Sequence, residues 1–315
     1  MTNKTISFYL CTLWLFASCN TYTTFYSRTY DKIPEKNVPT IHRLDLRNQN
    51  LTELPKTIDQ IKDLRMIDLS SNPQLDLELA LEKLSIHNSL EVLILDSLDI
   101  KTIPKSIKKF SNLKQISLVH NPNLRLDQVI SQLSELPIEF LNLKDNQLTK
   151  LPENITSLKH LKDLNLSYNS ITDSNTYIFL GRLPKLYSLW IDHNELKTIP
   201  KTIGKLAQIR FLYLDHNSLR ELPDELIDMK KLWVVHVGYN KFTELPSVFA
   251  RMKVLLMVHI NNNDITEIPK IYETEKYALA GLLLDNNPLS NKEIERAKRI
   301  FKGFFLLSFE QKLYE

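Results

Sequence analysis

Residues 161–171 read LKDLNLSYNSI, and residues 209–219 read IRFLYLDHNSL. Both stretches carry apolar residues at positions one, four, six and eleven and an asparagine at position nine. The pattern LxxLxLxxNxL recurs eleven times between residues 41 and 289, at steps of 23 to 26 residues and with a few positions replaced. A recurrence of this length is typical of a chain that stacks one structural unit many times. The copies begin at Ile41, Leu64, Leu90, Leu113, Ile138, Leu161, Leu186, Ile209, Leu232, Leu255 and Leu279.

The centre of each copy alternates between apolar and other residues, which predicts a short strand whose apolar side chains face inward. An asparagine follows the strand in nine copies, and a buried asparagine amide can bond the backbones of neighbouring turns. The pattern therefore predicts a ladder of stacked asparagines. Gln49 and Leu98 interrupt it; we expect the glutamine to substitute in part and the leucine not at all. The nine asparagines are Asn72, Asn121, Asn146, Asn169, Asn194, Asn217, Asn240, Asn263 and Asn287.

The segments that connect the copies are of two kinds. Seven begin with Leu-Pro or Ile-Pro, and a proline at that point favours entry into a short helical turn. Three are longer, at 75–89, 124–137 and 171–185, and have room for about two turns of α-helix. Short and long segments alternate through the first seven copies, which predicts a bulkier outer side in the N-terminal half.

The residues after the last copy predict a cap. Ser290 and Glu293 have the spacing of a capping box, and the helix that they open should end near Gly303. Apolar residues at 304–307 and 309 can then cover the last repeat, because the end of a stacked core is otherwise open to water.

The eleven copies resemble the repeats of leucine-rich repeat proteins. The resemblance implies an α/β solenoid, a leucine-rich repeat horseshoe of about 11 repeats. Such a fold has a parallel β-sheet on its concave face, short helical turns on its convex face and here a C-terminal helical cap. We place the leucine-rich repeat domain at residues 40–289 and the cap at residues 290–315.

The N-terminal sequence is typical of an export signal. Lys4 precedes an apolar run of 12 residues that is too short to span a bilayer. The run leads into Ala17-Ser18-Cys19, which resembles the lipobox of bacterial lipoproteins, although Phe16 stands where leucine is usual. The resemblance implies a signal peptide at 1–18, lipidation of Cys19, a tether at 19–39 and a lipid-anchored location in a bacterial cell envelope, on a side left open. An ordinary cleaved signal and an uncleaved anchor are the alternatives.

The composition argues against several kinds of chemistry. The 40 basic and 37 acidic residues nearly balance, so we expect no nucleic-acid partner. The chain has 5 glycines and no glycine-rich phosphate-binding motif. Its 2 cysteines are Cys11 and Cys19, so the repeats can hold no disulfide, no thiolate metal site and no cysteine nucleophile. Because the repeats account for nearly all residues from 41 to 289, we expect no catalytic residues, no cofactor and no enzyme activity.

The outward positions of the strands carry the candidate binding residues. In copies six to ten, positions five and eight hold a run of aromatic and imidazole rings on the face that the fold leaves open. Further rings occupy positions two and three beside them. The candidate ligand-binding residues are Tyr168, Trp190, His193, Phe211, Tyr213, His216, Trp233, His236, Tyr239 and His259.

These rings allow three interpretations. Stacking on neighbouring strands can be purely structural. Alternatively, large solvent-facing rings point to a covered binding surface, because such rings concentrate binding energy. A metal site is the weakest interpretation, since the stacking of repeats makes neighbouring histidines automatic; we assign no metal. Unperturbed imidazoles titrate near pH 6.5, so we also expect binding to change between pH 5 and 8.

Three functions follow from these interpretations. The first is a non-enzymatic envelope lipoprotein that binds a protein or peptide through its concave face and the membrane through its lipid. The second is a glycan-binding lipoprotein, favoured by rings beside aspartate and asparagine. The third is a structural spacer of the envelope without a ligand.

Overall fold

The computed structural model describes residues 29–33 and 40–310. In this part of the chain, twelve strands form one parallel sheet in chain order. Eleven of the twelve come from the sequence repeats, as predicted, and one follows the last repeat. In chain order, the twelve strands are β1 (Arg43–Asp45), β2 (Met66–Asp68), β3 (Val92–Ile94), β4 (Gln115–Ser117), β5 (Phe140–Asn142), β6 (Asp163–Asn165), β7 (Ser188–Trp190), β8 (Phe211–Tyr213), β9 (Val234–His236), β10 (Met257–His259), β11 (Gly281–Leu283) and β12 (Leu306–Ser308).

Neighbouring strands pair so that equal positions of successive repeats face each other. Leu164 pairs with Leu189, and Leu212 pairs with Val235. Each repeat position therefore becomes a column that runs along the sheet. The columns of positions one, four and six lie inside the solenoid, where residues such as Leu166 and Leu214 have no exposed surface. The predicted leucine-rich repeat architecture is confirmed.

The connecting segments have the two predicted forms. The longer ones contain α1 (Leu77–Leu84), α2 (Leu126–Leu133) and α3 (Asn175–Gly181). The proline-led segments form 3-10 turns at Lys56–Gln60, Lys105–Lys109, Glu153–Ser157, Lys201–Lys205 and Asp224–Asp228. The last two segments form single α-helical turns instead, α4 (Val248–Arg251) and α5 (Ile271–Thr274). In the described residues, no helix has the length and apolar character that a bilayer crossing needs.

Asparagine side chains join successive turns as the pattern predicts. Asn217 donates its Nδ2 hydrogens to the carbonyls of Ile191 and Leu214, each at 3.0 Å. Its Oδ1 accepts from the amides of Asn194 and Leu196, at 2.9 and 3.0 Å. One side chain thus satisfies backbone groups of two repeats that lie away from water.

The two interruptions of the ladder behave differently. Gln49 Nε2 donates to the carbonyl of Asp31 at 2.8 Å, so it bonds the preceding segment as an asparagine would. Leu98 has no amide to offer the turn before it. That turn bonds within itself, where the amide of Leu75 donates to the carbonyl of Asn72 at 2.9 Å.

The C-terminal cap departs from its sequence prediction in two ways. Helix α6 (Asn291–Ile300) begins at Ser290, whose Oγ accepts from the amide of Glu293 at 3.2 Å. The Glu293 carboxylate does not return the bond; it accepts instead from the amide of Ile268 at 2.9 Å. The residues after Gly303 are also more than a cover, because β12 extends the sheet by one strand.

Replacing Asn217 with alanine should lower the free energy of unfolding by about 1–3 kcal/mol, because it leaves buried backbone groups without partners. Chemical denaturation of Asn217→Ala against the unchanged protein measures the loss. The control is Asn112→Ala, which removes one hydrogen bond on the exposed surface and should change stability by less than about 0.5 kcal/mol. Equal stability of Asn217→Ala and the unchanged protein would show that the ladder does not hold the turns.

Candidate ligand-binding face

Position five of the repeat forms a column of rings on the outward side of β7 to β10. Strand register pairs Trp190 with Tyr213, Tyr213 with His236, and His236 with His259. Successive ring centroids are 4.5, 4.6 and 3.9 Å apart. We call these four residues the inner ring column.

Position eight forms a second column just beyond the strands. The rings of Tyr168, His193, His216 and Tyr239 stack nearly parallel, with centroids 4.0, 4.2 and 4.0 Å apart. Lys144 Nζ lies 4.4 Å from the Tyr168 centroid and extends the column. We call these four aromatic and imidazole residues the outer ring column.

A backbone constraint limits which residues occupy position eight. All eleven copies have a positive φ there, between 52° and 57°. This left-handed region disfavours β-branched residues and is tolerated best by Asn, Asp and His. The sequence has no Val, Ile or Thr at position eight, and the positive φ is the physical reason, which the sequence alone did not indicate. The eleven residues are Asn48, Ser71, Ser97, His120, Asp145, Tyr168, His193, His216, Tyr239, Asn262 and Asn286.

Neighbouring side chains also interact along this column outside the rings. His120 Nδ1 lies 2.7 Å from Asp145 Oδ2, and Asn286 Nδ2 donates to Asn262 Oδ1 at 3.0 Å. Contact along a column is therefore a general result of the stacking. The structural interpretation therefore explains why neighbouring rings touch. It does not explain why these positions carry rings and not smaller polar side chains.

An open depression of about 310 Å³ lies between the two ring columns. Position seven supplies its polar groups, because that position falls between positions five and eight on each strand end. The lining residues are Trp190, Asp192, Tyr213, Asp215, His216, His236, Tyr239 and Asn261.

Asp215 is the most perturbed acid of the depression. Its Oδ1 accepts from the amide of Gly238 at 2.6 Å, and its Oδ2 lies 3.7 Å from His236 Nδ1. The pKa of Asp215 is raised to about 7, chiefly by burial and also by the charge of Asp192 on the preceding repeat, while the Gly238 hydrogen bond acts to lower it. Asp192 itself accepts from the Ser167 hydroxyl and lies 3.0 Å from His193 Nδ1.

The histidines of the inner ring column do not titrate where the sequence predicted. Burial, together with the neighbouring His259, lowers the pKa of His236 to about 3. Burial lowers the pKa of His259 to about 4 and also lowers that of His216. For His236 and His259 the expectation of a charge change between pH 5 and 8 is therefore wrong, whereas Asp215 is a lining group that titrates in this range.

The remaining candidate rings lie at positions two and three, toward the start of the strands. Phe211 is on the same face as Tyr213 but only 8% exposed; it packs with Val234 and Met257 in a small apolar cluster, against which Tyr213 also packs. Trp233 is 38% exposed, with the Arg210 guanidinium 4.8 Å from its ring. The structure thus brings eight of the ten candidates into the two ring columns, and five of these eight line the depression. Phe211 and Trp233 lie outside the columns.

An apolar strip that the sequence did not reveal continues from Trp233. Leu256, Phe305 and Leu306 are 37%, 48% and 36% exposed. The amide of Leu256 donates to the carbonyl of Trp233, the amide of Ala280 to that of Leu256, and the amide of Phe305 to that of Ala280. These residues therefore lie side by side, just before the starts of adjacent strands. The repeat position of Leu256 was enough to predict that it lies on this surface. Phe305 and Leu306 could be placed there only once β12 was known.

The ring columns offer little to a metal ion. Within residues 29–33 and 40–310, no group of three or more His, Cys, Asp or Glu side chains could hold one. His193 and His216 stack at an interplanar angle of 15°, so they turn ring faces, not nitrogen lone pairs, toward each other.

Solved structures with the same architecture come from bacteria and an insect. A leucine-rich repeat protein of Leptospira interrogans aligns over 90% of this chain and 100% of its own, at 22% identity and a TM-score of 0.51. The chain has the leucine-rich repeat fold. An internalin of Listeria monocytogenes aligns over 79% of this leucine-rich repeat chain and 76% of its own, at 19% identity and a TM-score of 0.55.

Toll, in the Toll–Spatzle complex of Drosophila, aligns over 86% of the leucine-rich repeat chain but only 40% of its own, at 19% identity and a TM-score of 0.66. No protein-family model matches the sequence, and no curated protein is significantly similar to it. These likenesses establish the fold alone.

Asp215→Asn should stabilise the protein at pH 8 but hardly at pH 4. The folded-state pKa of Asp215 lies near 7, above the usual 3.8, so the wild type loses stability as pH rises between those values. Asparagine keeps the Oδ1 acceptor for Gly238 and carries no charge. We expect a gain of about 1–3 kcal/mol at pH 8.

Urea denaturation at pH 4 and pH 8 measures this difference. Asp145→Asn, which removes an exposed acid from position eight of the fifth repeat, is the matched control. A gain from Asp215→Asn that is equal at both pH values would contradict a raised pKa.

Proposed function

We propose that the protein binds a protein or peptide partner through the concave face of repeats six to ten, in a bacterial cell envelope, without catalysing a reaction. The observation that carries this proposal is the pair of ring columns around an acid-lined depression. The inward columns already fill the core, so no packing requirement explains large rings on the opposite side.

Solvent exposure of the outer ring column supports a covered surface. Tyr168 and Tyr239, at its two ends, are 44% and 45% exposed. Aromatic side chains supply much of the binding energy in protein interfaces, especially where surrounding residues exclude water. The two columns and the depression together form a rigid surface, because each ring is supported by its neighbours.

A solved complex of another protein with this fold also supports a protein partner. One structural neighbour, Toll, was solved in a complex with Spatzle. Its identity to this chain is too low to transfer a partner, but it shows that the architecture can serve recognition. The protein partner is therefore our first choice.

A glycan is the second candidate ligand. Tyr and Trp rings next to Asp192, Asp215 and Asn261 could stack on a sugar and bond its hydroxyls. The depression is open along the sheet, which suits a chain-like ligand of either kind.

Attachment to the membrane is a separate part of the proposal. The signal at residues 1–18 and Cys19 lie outside the described residues, as do residues 20–28 and 34–39 of the tether. The proposal of a lipid anchor therefore rests on Ala17-Ser18-Cys19 and the apolar run before it.

Trp190→Ala and Tyr213→Ala should each weaken the binding of a partner captured from native envelope extract by about 2 kcal/mol, or about thirtyfold. Calorimetric titration of that partner against each variant measures the loss. Asp45→Ala is the matched control, because Asp45 occupies position five on the distant first repeat. Unchanged affinity of both ring variants would remove the site from the ring columns.

Cys19→Ala should release the protein from the membrane fraction, because the lipid is attached to that side chain. Intact mass of the membrane-bound form should correspond to a chain that starts at a lipidated Cys19. Cys11→Ala is the control and should leave the mass unchanged, since Cys11 lies within the removed segment. A mature chain that starts elsewhere would contradict the lipid anchor.

A further inference from the structure

One position in the depression between the ring columns carries no side chain. Position seven carries Asp192, Asp215 and Asn261 on neighbouring repeats, but Gly238 interrupts this column. A Cβ atom at Gly238 would lie 3.0 Å from Asp215 Oδ1 and 3.0 Å from Asn261 Oδ1. The absence of a side chain at Gly238 therefore lets the carboxylate of Asp215 and the amide of Asn261 approach the backbone closely, in a depression that the rings of Tyr213 and Tyr239 also line.

The lining residues of the depression carry negative charge without a matching cation. None of the eight is lysine or arginine. The basic group at 3.7 Å from Asp215 is His236, which its low pKa keeps neutral at pH 7. Gly238 occupies Asp215 Oδ1, so Oδ2 remains available to a ligand.

The first two repeats show how the same fold satisfies such acids internally. Arg47, at position seven, places its Nη2 2.7 Å from Asp45 Oδ2 and 3.3 Å from Asp68 Oδ2. In repeats seven and eight the carboxylates are at position seven instead, with the rings of Trp190 and Tyr213 at position five and no arginine among the lining residues.

We propose that the depression binds an arginine side chain of the partner, with its guanidinium between the ring columns and paired with Asp215 and Asp192. This deepens the proposed function, on which it rests for the identity of the site. A volume of about 310 Å³ is at the small end of the range for ligand pockets, so it suits one side chain.

The chemistry favours arginine over lysine. A guanidinium is planar, so its face can stack on Tyr213 or Tyr239 while its edge donates to a carboxylate. Lysine has a compact charge that cannot do both as well. An uncharged sugar would gain the ring contacts but would leave the acids without a counter-charge.

Binding of a guanidinium should depend on pH through Asp215. The cation favours the ionised carboxylate, so affinity should rise as pH passes the pKa of about 7. With a pKa near 7, the ionised fraction falls about thirtyfold from pH 8 to pH 5.5, so affinity should fall by up to that factor. The titratable groups around Asp215 are Asp192 and His193 on the preceding repeat, His216 on its own, and His236 and His259 on the following ones.

The test uses N-acetyl-arginine methylamide as the probe and nuclear magnetic resonance of the full chain as the readout. At pH 8 we expect a saturable shift of the Trp190 indole N–H signal, assigned with Trp190→Phe, with a dissociation constant on the order of millimolar. The Trp233 indole should not shift, because it lies outside the depression. The citrulline isostere, which lacks the charge, should bind at least about tenfold more weakly.

Variants and pH then locate the interaction. Asp215→Asn should weaken probe binding at pH 8 at least about fivefold and abolish its pH dependence, while Asp45→Asn should change neither. N-acetyl-lysine methylamide serves as a third probe. The proposal would be overturned if the arginine and citrulline probes gave equal shifts, if the lysine probe bound as tightly as the arginine probe, or if the arginine probe had the same affinity at pH 5.5 and pH 8. The comparison of probes and pH values on the unchanged protein needs no variant to fold.

The outcomes separate this inference from the proposed function. An inactive arginine probe together with a partner that requires Trp190 would overturn the arginine site and leave the binding face intact. A probe that binds as expected, together with a partner indifferent to Trp190 and Tyr213, would support the arginine site and overturn the proposed function.

Discussion

The in-register pairing of parallel strands is the constraint on which the rest of the structure depends. Each strand is only three residues long and could not persist alone. It is held because the next repeat presents the same positions at the same height, so apolar residues meet apolar residues and each turn meets an asparagine amide. The turns at Asn72 and Asn121 also bond within themselves, through the amides of Leu75 and Leu124.

Because of this register, similar residues at the same position of successive repeats form a continuous column on the surface. Because adjacent strands lie about 4.8 Å apart, rings at equal positions come within stacking distance on every repeat that carries them. The four rings of the inner column and the four of the outer column arise in this way, at centroid distances of 3.9 to 4.6 Å. Position eight adds a backbone requirement of its own, since its positive φ excludes β-branched residues and leaves His, Tyr, Asn, Asp and Ser.

The electrostatics of the face change along the solenoid. On the first repeats, Arg47 neutralises Asp45 and Asp68 within the chain. Farther along, rings shield Asp215 from water without supplying a charge, which raises its pKa to about 7 and keeps His236 neutral. The carboxylates of the depression thus have no lysine or arginine beside them among its lining residues, and a bound cation would supply the missing positive charge. The same burial that stacks the rings therefore defines what the depression should bind.

The sequence by itself determined the repeat, its register, the buried columns, the asparagine ladder and the alternation of short and long segments, because all of these follow from periodic spacing. It also identified the rings that meet. It could not determine that Gly303 would lead into β12, since those residues do not repeat the pattern. Only the tertiary structure decided that Phe211 does not line the depression, that Gly238 lets Asp215 and Asn261 approach the backbone, and that Asp215, not His236 or His259, titrates near neutral pH. Those properties depend on the burial of each side chain among neighbours from other repeats, which spacing along the chain does not encode.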